Sequence, residues 1–293
     1  MTLESLREPI MKAVPEAAFR EFAAVFERCQ PSWPLHQFLA AFTATSRMLG
    51  RVPLDHQITS VRGPLDSVPT VLFTSDVAGR ALLLHALANA APQKLEEAVS
   101  AAYDDGDALE KLAVVRSLAL LPQAERFTRI ALDAGRSNEL DLVYALACNN
   151  PFPARHYDEL AWNKLYMKAA FIGLPLPQIM GLTERANPEL SRMALHYVEQ
   201  QESAGRSFPA ALWPAIAAFA PPSTTAKLLG YVTHAVADQR LGAALGLEQR
   251  ADPRTAAFLE EQLAIESDER VCAVLTRTLA VLGQRENTPN TAS

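Results

Sequence analysis

Arg116 stands in LAVVRSLALLP, a stretch otherwise apolar on almost every face. A helix this apolar is buried, and a guanidinium carried into it needs a carboxylate or carbonyl partner, because an unpaired buried charge is very costly. The expected partner is an acid such as Asp76 or Glu110, which makes Arg116 a bridge between helices; anion binding is the alternative. Further on, NNPFPARHYDELAWNKLYMKAA brings Asn150, Arg155, His156 and Asn163 to a Pro-rich loop and the helix that follows it, beside Trp162, Tyr166 and Phe171. Free backbone groups at a helix N-terminus, next to aromatic faces, an Arg and an amide, suit the polar end of a flat or lipophilic molecule, or an acidic segment of a partner. Arg185 and Arg192 of TERANPELSRMALHY, with His196, are candidates for the same groove.

The plainer reading of these residues is structural. Lys164 and Lys168 form a solvated edge, Asn163 satisfies a loop carbonyl, and Arg192 and His196 at an i, i+4 spacing share an exposed face. Asn187 and Pro188 are a sufficient N-cap and N1 pair. Catalysis would rest on an acid–base set of His156 with Asp158 or Glu159, and no catalytic residue is assigned. The histidines, at 36, 56, 85, 156, 196 and 234, include no HxH or HExxH pattern, so no metal is expected. A Gly-rich phosphate loop, a GxSxG elbow and strand–helix alternation are also lacking, so no cofactor is expected. Cys29, Cys148 and Cys272 lie more than a hundred residues apart and read as buried thiols.

The elements that must hold these residues are helical. Nearly half of the 293 residues are apolar, Gly is scarce at 12, and the 20 prolines fall mostly between helical patterns. A net charge of −6 and a pI near 5.6 give no basic field for a phosphate backbone, so nucleic acid is not an expected partner. The N-terminus MTLESLREPIMKAVPEAAF has no apolar core of signal-peptide type, and apolar runs such as Ala81 to Leu84 are too short to span a bilayer. The expected compartment is the cytoplasm.

Periodicity predicts helices at 15–29, 34–49, from Ser75 as N-cap, then at 92–103, 107–121, 123–133, 137–148, 156–172 and 187–201. Thr70 to Phe73 is the one stretch that could pass for a strand. Starts about fifteen residues apart give hairpins of about thirty, the scale of solenoid arrays. The fold class expected is all-α, an α-solenoid of antiparallel helical pairs. Its parts are an N-terminal pair at 1–50, a connector at 51–69, a central region at 70–206, C-terminal repeats at 207–283 and a disordered tail at 284–293. The repeats are read from D-x-R-x-x-A-x-L, present three times with Asp238, Asp252 and Asp268 as its first residues. Each Asp is expected to cap a helix, and Ala243, Ala257 and Ala273 to permit close packing. This resembles HEAT-type repeats.

The segments SDVAGRALLL (75–84), YDDGDALEKLAVVRSLALLP (103–122), ALACNNPFPARHYDELAWNKLYMKAAFIGLPL (145–176) and GLTERANPELSRMALHYVEQQESAGR (181–206) resemble the EboA family by their order and wording. The resemblance implies a pathway context: gene clusters associated with moving a metabolite precursor toward the periplasm, alongside a UbiA-like prenyltransferase and other enzymes. It supplies no reaction. The function expected is a noncatalytic helical-repeat scaffold or binding protein in the synthesis and export of a secondary-metabolite precursor. Its partners would be pathway proteins or a small metabolite, with peripheral association with membrane enzymes but no transmembrane segment. An enzyme of a terpenoid or related pathway, with its acid–base site near His156, is the alternative.

Overall fold

The computed structural model describes residues 6–28, 33–54 and 73–286. Cys29, His56, all but the last residue of the strand expected at Thr70 to Phe73, most of the connector and the tail from 287 onward lie outside them. All regular structure among the described residues is helical. Phe73 is not in a strand; its carbonyl accepts the Leu54 N–H, and an isolated antiparallel bridge joins Pro53 to Thr74. No helix there is long and apolar enough to cross a membrane.

The chain falls into two compact units, one of Met1–Ala169 with Gln178–Gly181 and one of Ala170–Pro177 with Leu182–Ser293. The first holds α1 (Arg7–Ala13), α2 (Glu16–Glu27), α3 (Leu35–Leu49), α4 (Ser75–Ala90), α5 (Pro92–Asp104), α6 (Ala108–Ser117), α7 (Thr128–Arg136), α8 (Leu140–Ala147), α9 (Phe152–His156) and most of α10 (Glu159–Phe171). At its centre is α4, buried over most of its surface and packed against α1, α2, α3, α5 and α6. Gly79 lets α3 come close: a Cβ there would stand 2.5 Å from Leu49 Cδ1 and 2.8 Å from Thr45 Cγ2. Ser75 is not the N-cap of α4; Thr74 occupies that position. The Ser75 hydroxyl instead ties down the end of α3, sharing its hydrogen between the carbonyls of Leu49 and Gly50 and accepting the Val52 N–H.

Asp76 and Arg80 form an ion pair 3.0 Å long inside this core, each side chain 1% exposed. An i, i+4 spacing on α4 brings them together, and Arg80 also donates to the Phe42 carbonyl of α3 while stacking over the Phe42 ring. Thr74 supplies a second hydrogen bond to Asp76. Every exit from water for these charges is therefore matched by a partner. On α6, Asp107 and Glu110 make a capping box, with Asp107 Oδ1 accepting from Leu109 and Glu110 N–H and Glu110 Oε2 accepting the Asp107 N–H.

The helix expected at 156–172 begins three residues later, as α10, because His156 is the last residue of α9. Tyr157, extended at ψ 145°, ends α9 after His156, and Asp158 Oδ1 accepts the Ala161 N–H 2.7 Å away to start α10.

The second unit holds α11 (Leu182–Arg185), α12 (Pro188–Ser203), α13 (Leu212–Ala217), α14 (Thr224–Val232), α15 (Ala237–Arg250), α16 (Ala256–Ile265) and α17 (Glu269–Glu286). Asn187 caps α12 by accepting the Leu190 N–H, with Pro188 at N1. Helix α15 is central, against α13, α14 and α17, and Gly242 lets it lie on the Ala210 backbone.

The three copies of the D-x-R-x-x-A-x-L pattern fall in different local settings. Asp252 and Asp268 do accept backbone N–H groups at helix starts, but Asp238 sits inside the first turn of α15, behind Val236 as N-cap. Its carboxylate pairs with Arg270 of the third copy at 2.9 Å. Ala243 is buried, whereas Ala257 and Ala273 face solvent, so only the first copy uses its alanine for close packing.

Replacing Asp76 by Ala strands the Arg80 guanidinium in the core and should lower the unfolding free energy by about 3–5 kcal/mol. Adding Arg80→Met should recover much of that loss, measured by urea denaturation of the single and double variants.

Candidate functional site

The segment between α8 and α9 is short, polar and buried, so its backbone groups must find partners inside the protein. Asn149 takes a left-handed conformation, φ 53°, which Asn tolerates better than most side chains. The Asn150 side chain, 1% exposed, donates from Nδ2 to the carbonyls of Val115 and Ala145 and accepts the Phe152 N–H, closing the turn. Gln178 is held against it. Its carbonyl accepts the Asn149 N–H at 2.7 Å, its Oε1 accepts from Tyr144 O–H and Asn149 Nδ2, and Cys148 bridges to Ile179.

Arg116 reaches this turn from α6. It is 4% exposed, donates from Nη1 to the Cys148 carbonyl at 2.8 Å and lies over the Tyr144 ring. Neither acid expected to meet it does so: Asp76 holds Arg80, and Glu110 is spent on its capping box. Among the described residues no carboxylate pairs with Arg116 at all. Burial without an anion pulls its pKa down to about 10, with Tyr144 and Cys148 pulling slightly the other way. Burial likewise pushes the neighbouring Cys148 thiol up to about 11.

Further along the first unit, a cavity of about 330 Å³ opens between α7 and α10. Leu132, Leu160 and Leu165 supply apolar wall; Arg136, Lys164, Lys168, Asp158 and Tyr157 supply polar groups. Lys168 has a double role. Its ammonium donates to the carbonyls of Gly135 and Ser137, at 2.9 and 2.6 Å, and so caps the C-terminal end of α7. Partial burial lowers its pKa. Tyr157 is buried at the base, its pKa raised by burial, and its hydroxyl would stand 3.3 Å from a Cβ on Gly135. The absence of a side chain at Gly135 thus leaves room at the helix end.

The residues singled out in the sequence divide among several places. Arg116 and Asn150 are brought together around the buried turn, through Cys148 and Val115. Arg155 is exposed on α9, and the His156 ring packs at a tilt against Phe152 with ring centroids 4.7 Å apart. Burial holds the His156 imidazole below its ordinary pKa, which favours the neutral ring. Asn163 is buried at 1% exposure, and none of Arg155, His156 and Asn163 lines the cavity. Arg185 and Arg192 belong to the second unit, where Arg192 makes a two-pronged contact with Glu189 on the surface. The cavity's own Arg136 and Tyr157, and the latch residue Gln178, carry no sequence signal of their own. Lys164 and Lys168 do carry one, since they lie on one face of a helix and read as a solvated edge.

A family model described as "Metabolite traffic protein EboA" matches residues 2–217. That range begins well before the segments on which the resemblance rests. No curated protein and no solved structure matches the chain.

Because Arg116 bonds a carbonyl, its loss strands a weaker group than a carboxylate. Arg116→Ala should cost about 2–3 kcal/mol, the scale of a charge-assisted hydrogen bond, and Arg116→Met clearly less, because the desolvated charge goes while the volume stays. Chemical denaturation of both variants checks the order. The Cys148 thiol gives a pH signature: the unfolded thiol ionises near 9.0 while the folded one keeps its proton to about 11. Above pH 9 the unfolded chain therefore binds fewer protons, and stability should fall by roughly 1 kcal/mol by pH 10. Urea midpoints at pH 8, 9 and 10 should show the fall, and Cys148→Ala should make it shallower, the remainder coming from buried tyrosines such as Tyr157 whose pKa is also raised.

Proposed function

Because the chain belongs to the EboA family of metabolite traffic proteins, we propose that it serves that traffic as a noncatalytic helical-repeat binding protein. In this reading it holds a secondary-metabolite precursor, or pathway proteins that handle one, during synthesis and export. The single observation that carries the reading is the α7–α10 cavity. Its volume of about 330 Å³ lies at the small end of ligand sites, which span about 300–1,000 Å³. Apolar walls with a few placed polar groups are the usual lining of such sites. The family name points to movement rather than conversion, and binding with release is what movement requires of a protein.

The HEAT-like reading of the C-terminal quarter is part of the same proposal. It is supported by the ion pair from Arg270 of the third repeat copy to Asp238 of the first, and by the Arg240–Glu266 pair at 2.7 Å. These tie α15 to α17 and to the segment before it. A stacked array of this kind would offer surface for pathway partners.

The experiment is native mass spectrometry of the protein purified from cells that make the metabolite, compared with Ala161→Trp, which places an indole in the cavity. A small molecule released on denaturation should be present with the natural sequence and absent from the variant, with circular dichroism unchanged. Equal recovery from both would put the binding site elsewhere.

A further inference from the structure

The cavity between α7 and α10 is electrically lopsided. Among its described lining residues there are three cations, Arg136, Lys164 and Lys168, and one acid, Asp158, in a chain whose net charge is −6. The acid is partly spent, since its Oδ1 accepts the Ala161 N–H. It also lies at the far end: ten residues of α10 separate it from Lys168, a rise of about 15 Å. Among the side chains that line the cavity, positive charge therefore gathers where α7 ends.

Lys168 is the fixed member of this group. An ammonium has three donors, and two are directed at the carbonyls of Gly135 and Ser137. The third remains for another acceptor, and holding the ammonium in place removes most of the rotamer cost of using it. Arg136 and Lys164 are exposed and free to close over a ligand from outside. Leu132 and Leu160 provide apolar wall, and Leu160 is 58% exposed.

We propose that this cavity binds a small amphipathic anion, its carboxylate or phosphate meeting the third donor of Lys168 between Arg136 and Lys164, its hydrocarbon part lying on Leu132 and Leu160. The inference rests on the reading that the cavity holds a metabolite, and it adds the chemical class. The occupant is a single dissolved molecule, since the cavity is sized for one and Lys168 is set into the wall rather than raised on the surface. The carboxylate and phosphate share one requirement, a compact negative head, and the site as built does not favour either.

The test uses the full chain and four probes with the same tail: octanoate, octyl phosphate, octanol and octyltrimethylammonium. Titration calorimetry at low salt should show at least one anion binding about tenfold or more tighter than octanol, the worth of a charge-assisted hydrogen bond. The cationic probe should bind most weakly. Arg136→Ala and Lys164→Ala should each weaken the anion by about two- to fivefold, the range for exposed charges, and weaken octanol less. Lys168 also caps α7, so it is followed without mutation: the Lys168 15Nζ resonance should move with octanoate and stay put with octanol. Equal binding of octanol and both anions, abolished by Ala161→Trp, would overturn the proposal and leave the cavity as a metabolite site. No binding of any probe would also overturn the proposal, and the native mass spectrum of the purified protein would then decide the wider reading by itself. Sedimentation with anionic phosphatidylglycerol vesicles, in the absence of binding to monomeric anions, would replace the dissolved ligand by a lipid surface and also overturn it.

Discussion

Carbonyl groups left over where helices end are the constraint around which this protein is built. An α-helix leaves its last four carbonyls without internal partners, and a chain of many short helices multiplies that debt. Glycine, the usual residue for turning a helix end back on itself, is scarce here at 12 residues. Left-handed Gly50, Gly173 and Gly205 follow α3, α10 and α12, and at four other ends long cations from neighbouring elements serve instead. Lys168 closes the end of α7, Arg116 bonds the carbonyl just beyond α8, Arg240 bonds His234 and Ala235 after α14, and Arg250 bonds Ala217 at the end of α13 and Ala220 and Pro221 beyond it. Each is a contact between residues distant on the chain or between consecutive helices, so the same bonds that satisfy the backbone also fix how helices are spaced.

This arrangement places positive charge where carboxylates are not required. Arg80 shows the costlier alternative, in which a buried cation brings its own acid from one helical turn away. Arg116 shows the other, in which the carbonyl dipole and the Tyr144 face must suffice and the depressed pKa records the shortfall. Lys168 lies between the two, half-buried, bonded to two carbonyls and bordering open space. A group that supports the fold and borders a cavity is a natural place for binding and stability to be linked, because any anion that meets it also strengthens the end of α7.

The all-helical class and most helix positions were legible, because three- and four-residue spacing of apolar side chains follows from the geometry of the helix itself. The Asn187–Pro188 cap was legible for the same local reason. Local signals misled where two positions competed: Thr74 rather than Ser75 begins α4, and the apolar and aromatic spacing across 156–172 hid the break at Tyr157. The repeat pattern preserved residue types without preserving their settings, so Asp238 became an ion-pair partner and Ala273 a surface residue. Of the site, the type of Arg116 announced its burial but not its partner, which lies 32 residues away. Lys168 has the same difficulty in reverse, since nothing in a lysine on a helix says which carbonyls it will reach.

The latch on Gln178 has a consequence for how the protein is made. Residues 170–177 belong to the second unit, yet Gln178–Gly181 return to the first, where Asn149 and Tyr144 hold them. A ribosome delivers the chain at about 5–20 residues per second, so Asn149 emerges a second or more before the residue that completes its turn. Through that interval the buried polar groups of the turn lack part of their hydrogen bonding, and the first unit is unfinished although nearly all its helices have been synthesised. Its completion is timed by a segment that arrives only after the chain has begun the second unit, which makes the two halves successive in synthesis but overlapping in assembly.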